Sequence, residues 1–479
     1  MPDILPPYDL VRSHFEFPFS LYPFQIEAVN ELAPLPRTGL WLQPGLGKTT
    51  VSTHCALYHA IYDVDTVVAI LPPILVTQWK RWLEKITYKD GRPLDVVAYR
   101  GTPAERKKMS LQHLFVLMSI QIFKRDYERI VKETMHRNIH VLVDEAHCIK
   151  DVGTDNYKKV RDYSYGRSIQ LLTGTPLNQP LDAYAYIKTV SPNTYKNLAQ
   201  FERTHVKSRD FFGKPTEFMN LDMLRDNLLI NADRKTKEDV LTDLPECIIT
   251  EIPYELDKKH MALYKQLVND NLLLLPDGGK LDMTQVTALY HAMGQIIMQW
   301  HHFAQDASLK SAGYDVVEEV IEELGGKKLI VFANYKRTNQ SLVDRLGCHG
   351  IWGDTSAKDK EKYWDEFLND PSCKVIVLNP IAAGIGLDGA QHVCQEILYI
   401  EPPIALSHWT QSLSRVHREG QRNVVTVRMA VALGTIQQER VRSLSDKEAL
   451  VNPLQGSKSA LRAALFGEYK PSKSCLVDA

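Results

Sequence analysis

The run Gln411-Ser412-Leu413-Ser414-Arg415-Val416-His417-Arg418-Glu419-Gly420-Gln421 sets two arginines three residues apart, far downstream of a glycine-rich stretch, Gly45-Leu46-Gly47-Lys48-Thr49. Phosphoryl transfer spreads charge over the γ-phosphate oxygens, and an arginine supplied late in the cycle stabilises that charge. At spacing i and i+3, Arg415 and Arg418 are expected on one helix face, pointing together at a nucleotide held elsewhere in the chain. A lone R-x-x-R is usually a solvated helix face. Paired with a phosphate loop, it predicts a nucleotide site split between two domains that open and close.

The loop itself follows the apolar pair Trp41-Leu42 and precedes an apolar helix pattern. A helix start offers free N–H groups and the positive end of the dipole to phosphate. Gly45 and Gly47 let the backbone approach, Lys48 reaches the β/γ oxygens, the Thr49 hydroxyl ligates magnesium, and Thr50 completes the nucleotide-binding set. Leu42 stands where the full G-x-x-x-x-G-K-T pattern has its first glycine. About a hundred residues on, the β-branched run Ile139 to Val143 reads as a buried parallel strand delivering Asp144 and Glu145 to the C-terminal edge of a sheet. Ligands of doubly wound sheets bind at that edge. Asp144 is expected beside magnesium and Glu145 beside the attacking water, as its base.

In their order along the chain, further segments carry a family resemblance. They are Leu21-Tyr22-Pro23-Phe24-Gln25-Ile26-Glu27-Ala28-Val29-Asn30, Leu71 to Trp79, Thr173-Gly174-Thr175-Pro176-Leu177-Asn178, Lys328 to Phe332, Gly384-Ile385-Gly386-Leu387-Asp388, and Thr435-Ile436. The most specific is Arg234-Lys235-Thr236-Lys237-Glu238-Asp239-Val240 with Leu244-Pro245. Together with the phosphate loop and the arginine run, they resemble the superfamily 2 ATPases of the Swi/Snf type, helicase-like translocases on double-stranded DNA.

The resemblance implies an α/β fold of two tandem RecA-like parallel-sheet lobes with helical insertions. Lobe 1 would span 1–235 with a helical protrusion at about 182–230. A linker would occupy 236–250, and lobe 2 would occupy 251–455 with a protrusion at about 257–323, leaving a tail at 456–479. It also implies ATP and Mg2+ as ligands, Gln25 on the adenine edge, Gly386 and Asp388 in the nucleotide site, and Leu117-Met118-Ser119 beside a backbone phosphate. His147 is expected to couple the nucleotide site to the second lobe. Three departures stand out: Leu42-Gln43-Pro44 for the usual Asp-Glu-Met, Asp388 for the usual Asn, and Glu401-Pro402-Pro403 for Trp-Asn-Pro. Two other readings stay open, a strand-separating or annealing helicase and a nucleotide-gated DNA-binding protein without turnover.

Composition agrees. A chain of 479 residues with 44% hydrophobic content suits two or three globular domains. The 57 basic and 58 acidic residues leave a net charge of −1, so a nucleic-acid surface must be local. Arg100 to Lys108, Arg234 to Lys237 and Lys358 to Lys362 are the candidate patches. Seven scattered cysteines lack metal or disulfide spacing. Without a leader or membrane-length apolar run, the expected setting is the cytoplasm, or the nucleus if the source has one. The short flanks predict a bare motor core, a monomer, of prokaryotic or viral origin or else a subunit that borrows targeting from a protein partner.

Strands are expected at Thr66 to Leu71, Leu114 to Met118, Val141 to Val143 and Ile169 to Leu172, then at Leu329 to Phe332, Val375 to Leu378, Glu396 to Ile400 and Val424 to Met429. Trp79, Trp409, Trp300 and Phe303 read as core.

Overall fold

A computed structural model describes residues 5–444 apart from 74, 212, 214, 241–243, 271, 275–279, 283–285, 305, 307, 308 and 384–386. Gly386 and the tail at 456–479 therefore lie outside the described residues. The chain divides into two compact units, with the boundary after Thr242.

Unit 1 is built on a seven-stranded sheet. In chain order its strands are β1 (Arg37–Leu40), β2 (Thr66–Leu71), β3 (Val96–Ala98), β4 (Phe115–Ser119), β5 (Ile139–Val143), β6 (Ser168–Leu172) and β7 (Ala232–Asp233). Their spatial order is β7-β1-β6-β5-β2-β4-β3, and every pair is parallel. All residues of β2, β4 and β5 are buried, as a parallel sheet covered on both faces requires. Val67, Ala69, Leu71, Phe115, Leu117 and Leu142 share one core with Trp79 and with Val51, Cys55 and Leu57 of the helix Lys48–Tyr62. Each fully buried aliphatic or aromatic side chain contributes about 1.5–3 kcal/mol.

Unit 2 carries a six-stranded sheet: β8 (Cys247–Tyr254), β9 (Leu329–Phe332), β10 (His349–Ile351), β11 (Val375–Leu378), β12 (Glu396–Tyr399) and β13 (Val425–Ala432). The order is β8-β13-β12-β9-β11-β10, again all parallel. Leu329, Val331, Val377, Leu398 and Ala430 form its core with Ile296, Ile297, Trp300 and Phe303. Trp79, Trp409, Trp300 and Phe303 are all buried, as expected.

Both insertions expected to be helical contain a β-hairpin as well. Within 182–230, Val206–Arg209 pairs antiparallel with Pro215–Phe218. Gly213 at φ +78 and the bond from the Arg209 guanidinium to the Gly213 carbonyl (2.6 Å) hold that turn. Within 257–323, Leu272–Leu274 pairs with Lys280–Asp282 between the helices Lys258–Asp270 and Val286–Phe303. No helix among the described residues is long and apolar enough to cross a membrane.

Candidate active site

Three neighbouring strands of unit 1 send their following loops to one sheet edge. β1 leads through Trp41 and Leu42 to the phosphate loop, β6 leads to Thr173–Asn178, and β5, on the far side of β6, leads to Asp144 and Glu145. The sequence reads Trp41 and Leu42 as a buried apolar run leading into the loop. The strand ends at Leu40, and the pair forms the buried approach to the loop.

Gly45 and Gly47 both sit in the left-handed region, at φ +94 and +81. A Cβ on Gly47 would lie 2.4 Å from the Gln25 amide nitrogen, so only glycine fits. Gln25 is buried and engaged at both ends: Nε2 donates to the Leu46 carbonyl (3.0 Å) and Oε1 accepts from the Tyr22 N–H (3.0 Å). It braces the loop, leaving one N–H and one lone pair for an adenine edge. Lys48 and Thr49 open the helix, and Lys48 Nζ donates to the Leu42 carbonyl at 3.3 Å. The Thr49 carbonyl accepts from Ser52 and Thr53, and the Thr50 carbonyl lies 2.8 Å from His54 Nδ1.

Asp144 is buried, and each of its oxygens has one partner. Oδ1 accepts from the Glu145 N–H (2.8 Å) and Oδ2 from the Trp79 indole (2.9 Å). Burial first, then the neighbouring Glu145 charge, push its carboxyl up to about 6, while the Lys48 ammonium and the two hydrogen bonds pull it down. A buried carboxylate beside a second one favours a cation, and each Asp144 oxygen keeps a second lone pair. The Asp144 carboxylate therefore suits magnesium. Glu145 takes φ +49, ψ +53, a left-handed backbone that costs a non-glycine residue about 1–2 kcal/mol. Its Oε2 lies 3.2 Å from His147 Nδ1; the separation suits an ion pair, but the angle is poor for a hydrogen bond.

The Thr173–Asn178 loop closes this edge. A Cβ on Gly174 would lie 2.5 Å from Pro44 Cδ, so the two loops touch. Asp182 accepts from the N–H groups of Asn178 (2.8 Å) and Gln179 (3.3 Å) and from Lys150 (3.4 Å). Among the described residues, Thr175 Oγ1 and Asn178 Oδ1 are buried atoms without a partner, which is the state of groups that wait for water or ligand.

Several expected surface groups are interior. Arg234 and Lys237 are buried: the Arg234 guanidinium donates to the Trp41 carbonyl and, at 3.4 Å, to that of Gly174, while the Lys237 N–H donates to Gln43 Oε1 (2.9 Å). Burial pushes the Arg234 guanidinium down to about 10, so it remains charged. The Arg234–Lys237 stretch is a brace for the phosphate loop rather than a basic face, and it begins where β7 pairs with β1. Arg106 is likewise buried, against Asp126 at 2.7 Å, which removes it from the Arg100–Lys108 patch. Leu117, Met118 and Ser119 are buried strand residues, and the Ser119 hydroxyl accepts from the Ile122 N–H (3.3 Å) to cap a helix. They are not placed to meet a phosphate backbone.

In unit 2 the helix Leu406–Leu413 ends before the arginines, which occupy the turns that follow. Arg415 and Arg418 thus share no helix face. They converge nonetheless, because Arg418 Nη1 lies 2.5 Å and Arg415 Nη1 3.4 Å from the same Asp388 oxygen. His417 Nε2 meets the Pro245 carbonyl at 2.9 Å. Glu401 is fully buried: Oε2 accepts from the N–H groups of Asn334 (2.6 Å) and Tyr335 (3.0 Å), and Oε1 from the Thr338 hydroxyl (2.7 Å). Burial pushes it up to about 7.

Two signals for residues missed as site members were available. A buried tryptophan must place its N–H, and Trp79 places it on Asp144. Gln43, read as a departure, is the acceptor that ties the brace to the loop.

An uncharacterized ATP-dependent helicase of Mycoplasma genitalium is 25% identical over 423 residues, 85% of this chain and 39% of that protein. The human DNA annealing helicase and endonuclease ZRANB3 is 24% identical over 92% of this chain and 41% of its own length. The chain thus spans about two fifths of these relatives. The solved Sulfolobus solfataricus SWI2/SNF2 ATPase core in complex with dsDNA aligns over 96% of this chain and 98% of its own, with 20% identity and a TM-score of 0.44. The SNF2-related domain family matches residues 36–306, more than half of the sequence, and the chain belongs to that family of ATP-dependent, helicase-like enzymes.

Proposed function

We propose that this chain is an ATP-driven translocase on double-stranded DNA, remodelling DNA or protein–DNA complexes. One observation carries the reading. The phosphate loop, the Asp144-Glu145 pair and the Thr173–Asn178 loop leave β1, β5 and β6 at one edge of one sheet, with Glu145 held in a strained backbone beside them. Lys48, Thr49, Thr50, Gly45 and Gly47 bind the phosphates, Gln25 braces the loop beside the base, and Glu145 takes the proton of the attacking water. Thr49 and Asp144 would hold magnesium, which when bound supplies charge neutralisation at the phosphates. Arg415 and Arg418 stabilise the charge that develops on the γ-phosphate. DNA is gripped through its phosphate backbone, which fixes position without reading sequence. The chain works as a monomer in the cytoplasm, or in a nucleus, with a partner protein for targeting.

The name of the human relative favours one second reading, strand annealing. The test is steady-state ATP hydrolysis by wild type and Glu145→Gln with no nucleic acid, blunt duplex, single-stranded DNA or RNA. Stimulation by duplex, abolished in the variant, is expected. Stimulation by single strands or RNA alone would reject double-stranded translocation, and rejoining of melted duplex in a parallel assay would favour annealing.

A further inference from the structure

Asp388 gathers both arginines onto one carboxylate oxygen. Its backbone is fixed on both sides: the carbonyl accepts from the Trp364 indole (2.8 Å), the preceding Leu387 carbonyl accepts from Arg415 (3.2 Å), and Gly389 follows at φ +100. The arginines are largely covered, with side chains 11% and 20% exposed, whereas the Asp388 side chain is 52% exposed. The carboxylate is thus the solvent-facing member of the cluster, and the guanidiniums lie behind it.

A guanidinium satisfied by a carboxylate is not equally available to a phosphate, because both are oxygen acceptors competing for the same N–H groups. We propose that Asp388 is a counter-ion latch: it competes with the γ-phosphate for Arg415 and Arg418, and so weakens nucleotide engagement until the arginines change partner. Asp388 is a positioning residue here and acts only through the arginines. This rests on the reading of Arg415 and Arg418 as the groups that meet the γ-phosphate.

The latch makes a prediction opposite to that for a direct nucleotide contact. Asp388→Asn keeps the shape and removes the charge, so the competitor is lost and ATP binds more tightly. Exposed ion pairs of this kind correspond to about a three- to fivefold change in affinity. The assay is the Kd of a fluorescent ATP analogue by anisotropy, with KM and kcat for ATP alongside. Asp388→Asn is expected to lower Kd and KM by that factor and to raise turnover without DNA. Asp388→Glu keeps the charge and should stay within about twofold of wild type. Asp388→Ser, a smaller neutral residue at a half-exposed position, should act like the asparagine variant if that one folds poorly.

In an Arg415→Ala/Arg418→Ala background the effect of Asp388→Asn should vanish. An unchanged or raised Kd in Asp388→Asn, or an effect that persists without the arginines, overturns the latch. If the double arginine variant hydrolyses ATP like wild type, the arginine reading itself falls. Loss of turnover in that variant together with no effect of Asp388→Asn sinks only the latch.

Discussion

Trp79→Phe isolates one hydrogen bond in the nucleotide site. The indole N–H donates to Asp144 Oδ2 at 2.9 Å, and both residues are buried, 2% and 5% exposed, so solvent does not screen the contact. Phenylalanine fills most of the same space and removes the donor. A hydrogen bond to an ionised group contributes about 1.5–3 kcal/mol, and about 1.4 kcal/mol corresponds to one pH unit. The Asp144 carboxyl, already pushed up to about 6, should therefore rise by about one to two units in the variant. The sign is fixed: the working form is the carboxylate, so activity falls as pH drops through this pKa, and in the variant it falls at a higher pH. The assay is kcat/KM for ATP against pH from 5 to 9, which reports groups of the free enzyme. At pH 7 the variant should lose roughly two- to tenfold, and at pH 9 nearly nothing. A well-folded variant whose acid limb coincides with that of wild type would refute the assignment of Trp79 to Asp144 ionisation.

Glu145→Gln should keep ATP binding and lower turnover by roughly 10²–10⁴-fold, measured as product formed against filter-bound nucleotide. Gly47→Ala forces a Cβ to within 2.4 Å of Gln25 Nε2 at φ +81 and should abolish measurable ATP binding; unaltered affinity would contradict the tight-loop geometry. Glu401 sits at about 7 against an ordinary 4.5, so the stability its burial permits is full below pH 4.5 and is lost as pH rises through 7. Glu401→Gln should match wild type in thermal melts near pH 5 and exceed it by up to about 3 kcal/mol at pH 8. Arg234→Ala leaves the Trp41 and Gly174 carbonyls without their donor and should cost about 2–4 kcal/mol in denaturant unfolding.

What could be read from the sequence depended on how local its cause is. β2 and β5 are visible because short runs rich in β-branched residues have few other uses, and Asp144 and Glu145 follow from where β5 stops. β3 and β10 are three residues long, Val-Val-Ala and His-Gly-Ile, too short for any period to show. Arg234 to Lys237 illustrates a different limit. Its composition reads as a basic face, but the acceptors that bury it are the carbonyls of Trp41 and Gly174 and the side chain of Gln43, roughly sixty to two hundred residues away. The same holds for the arginine pair. Spacing suggested convergence through a shared helix face, whereas the helix ends at Leu413 and convergence comes from a carboxylate 27 and 30 residues upstream.

A common electrostatic arrangement joins these sites. Within unit 1, the Asp144 carboxylate is offset by the Lys48 charge, and Glu145 stands by His147. Within unit 2, Asp388 offsets Arg415 and Arg418. Asp144 in unit 1 and the arginine pair in unit 2 thus each have an opposite charge within their own unit. A triphosphate with a divalent cation brings both signs at once. If Asp144 meets the cation and the arginines meet the γ-phosphate, as proposed above, each would exchange its own counter-ion for a ligand charge. A diphosphate lacks the γ-oxygens and leaves the Asp388 cluster intact. The discrimination between ATP and ADP should therefore depend on Asp388: its neutralisation by Asp388→Asn should tighten ATP by about three- to fivefold and leave ADP unchanged. Equal tightening of both nucleotides, in the same anisotropy titration, would show that the carboxylate repels phosphate in general and does not act through the arginines.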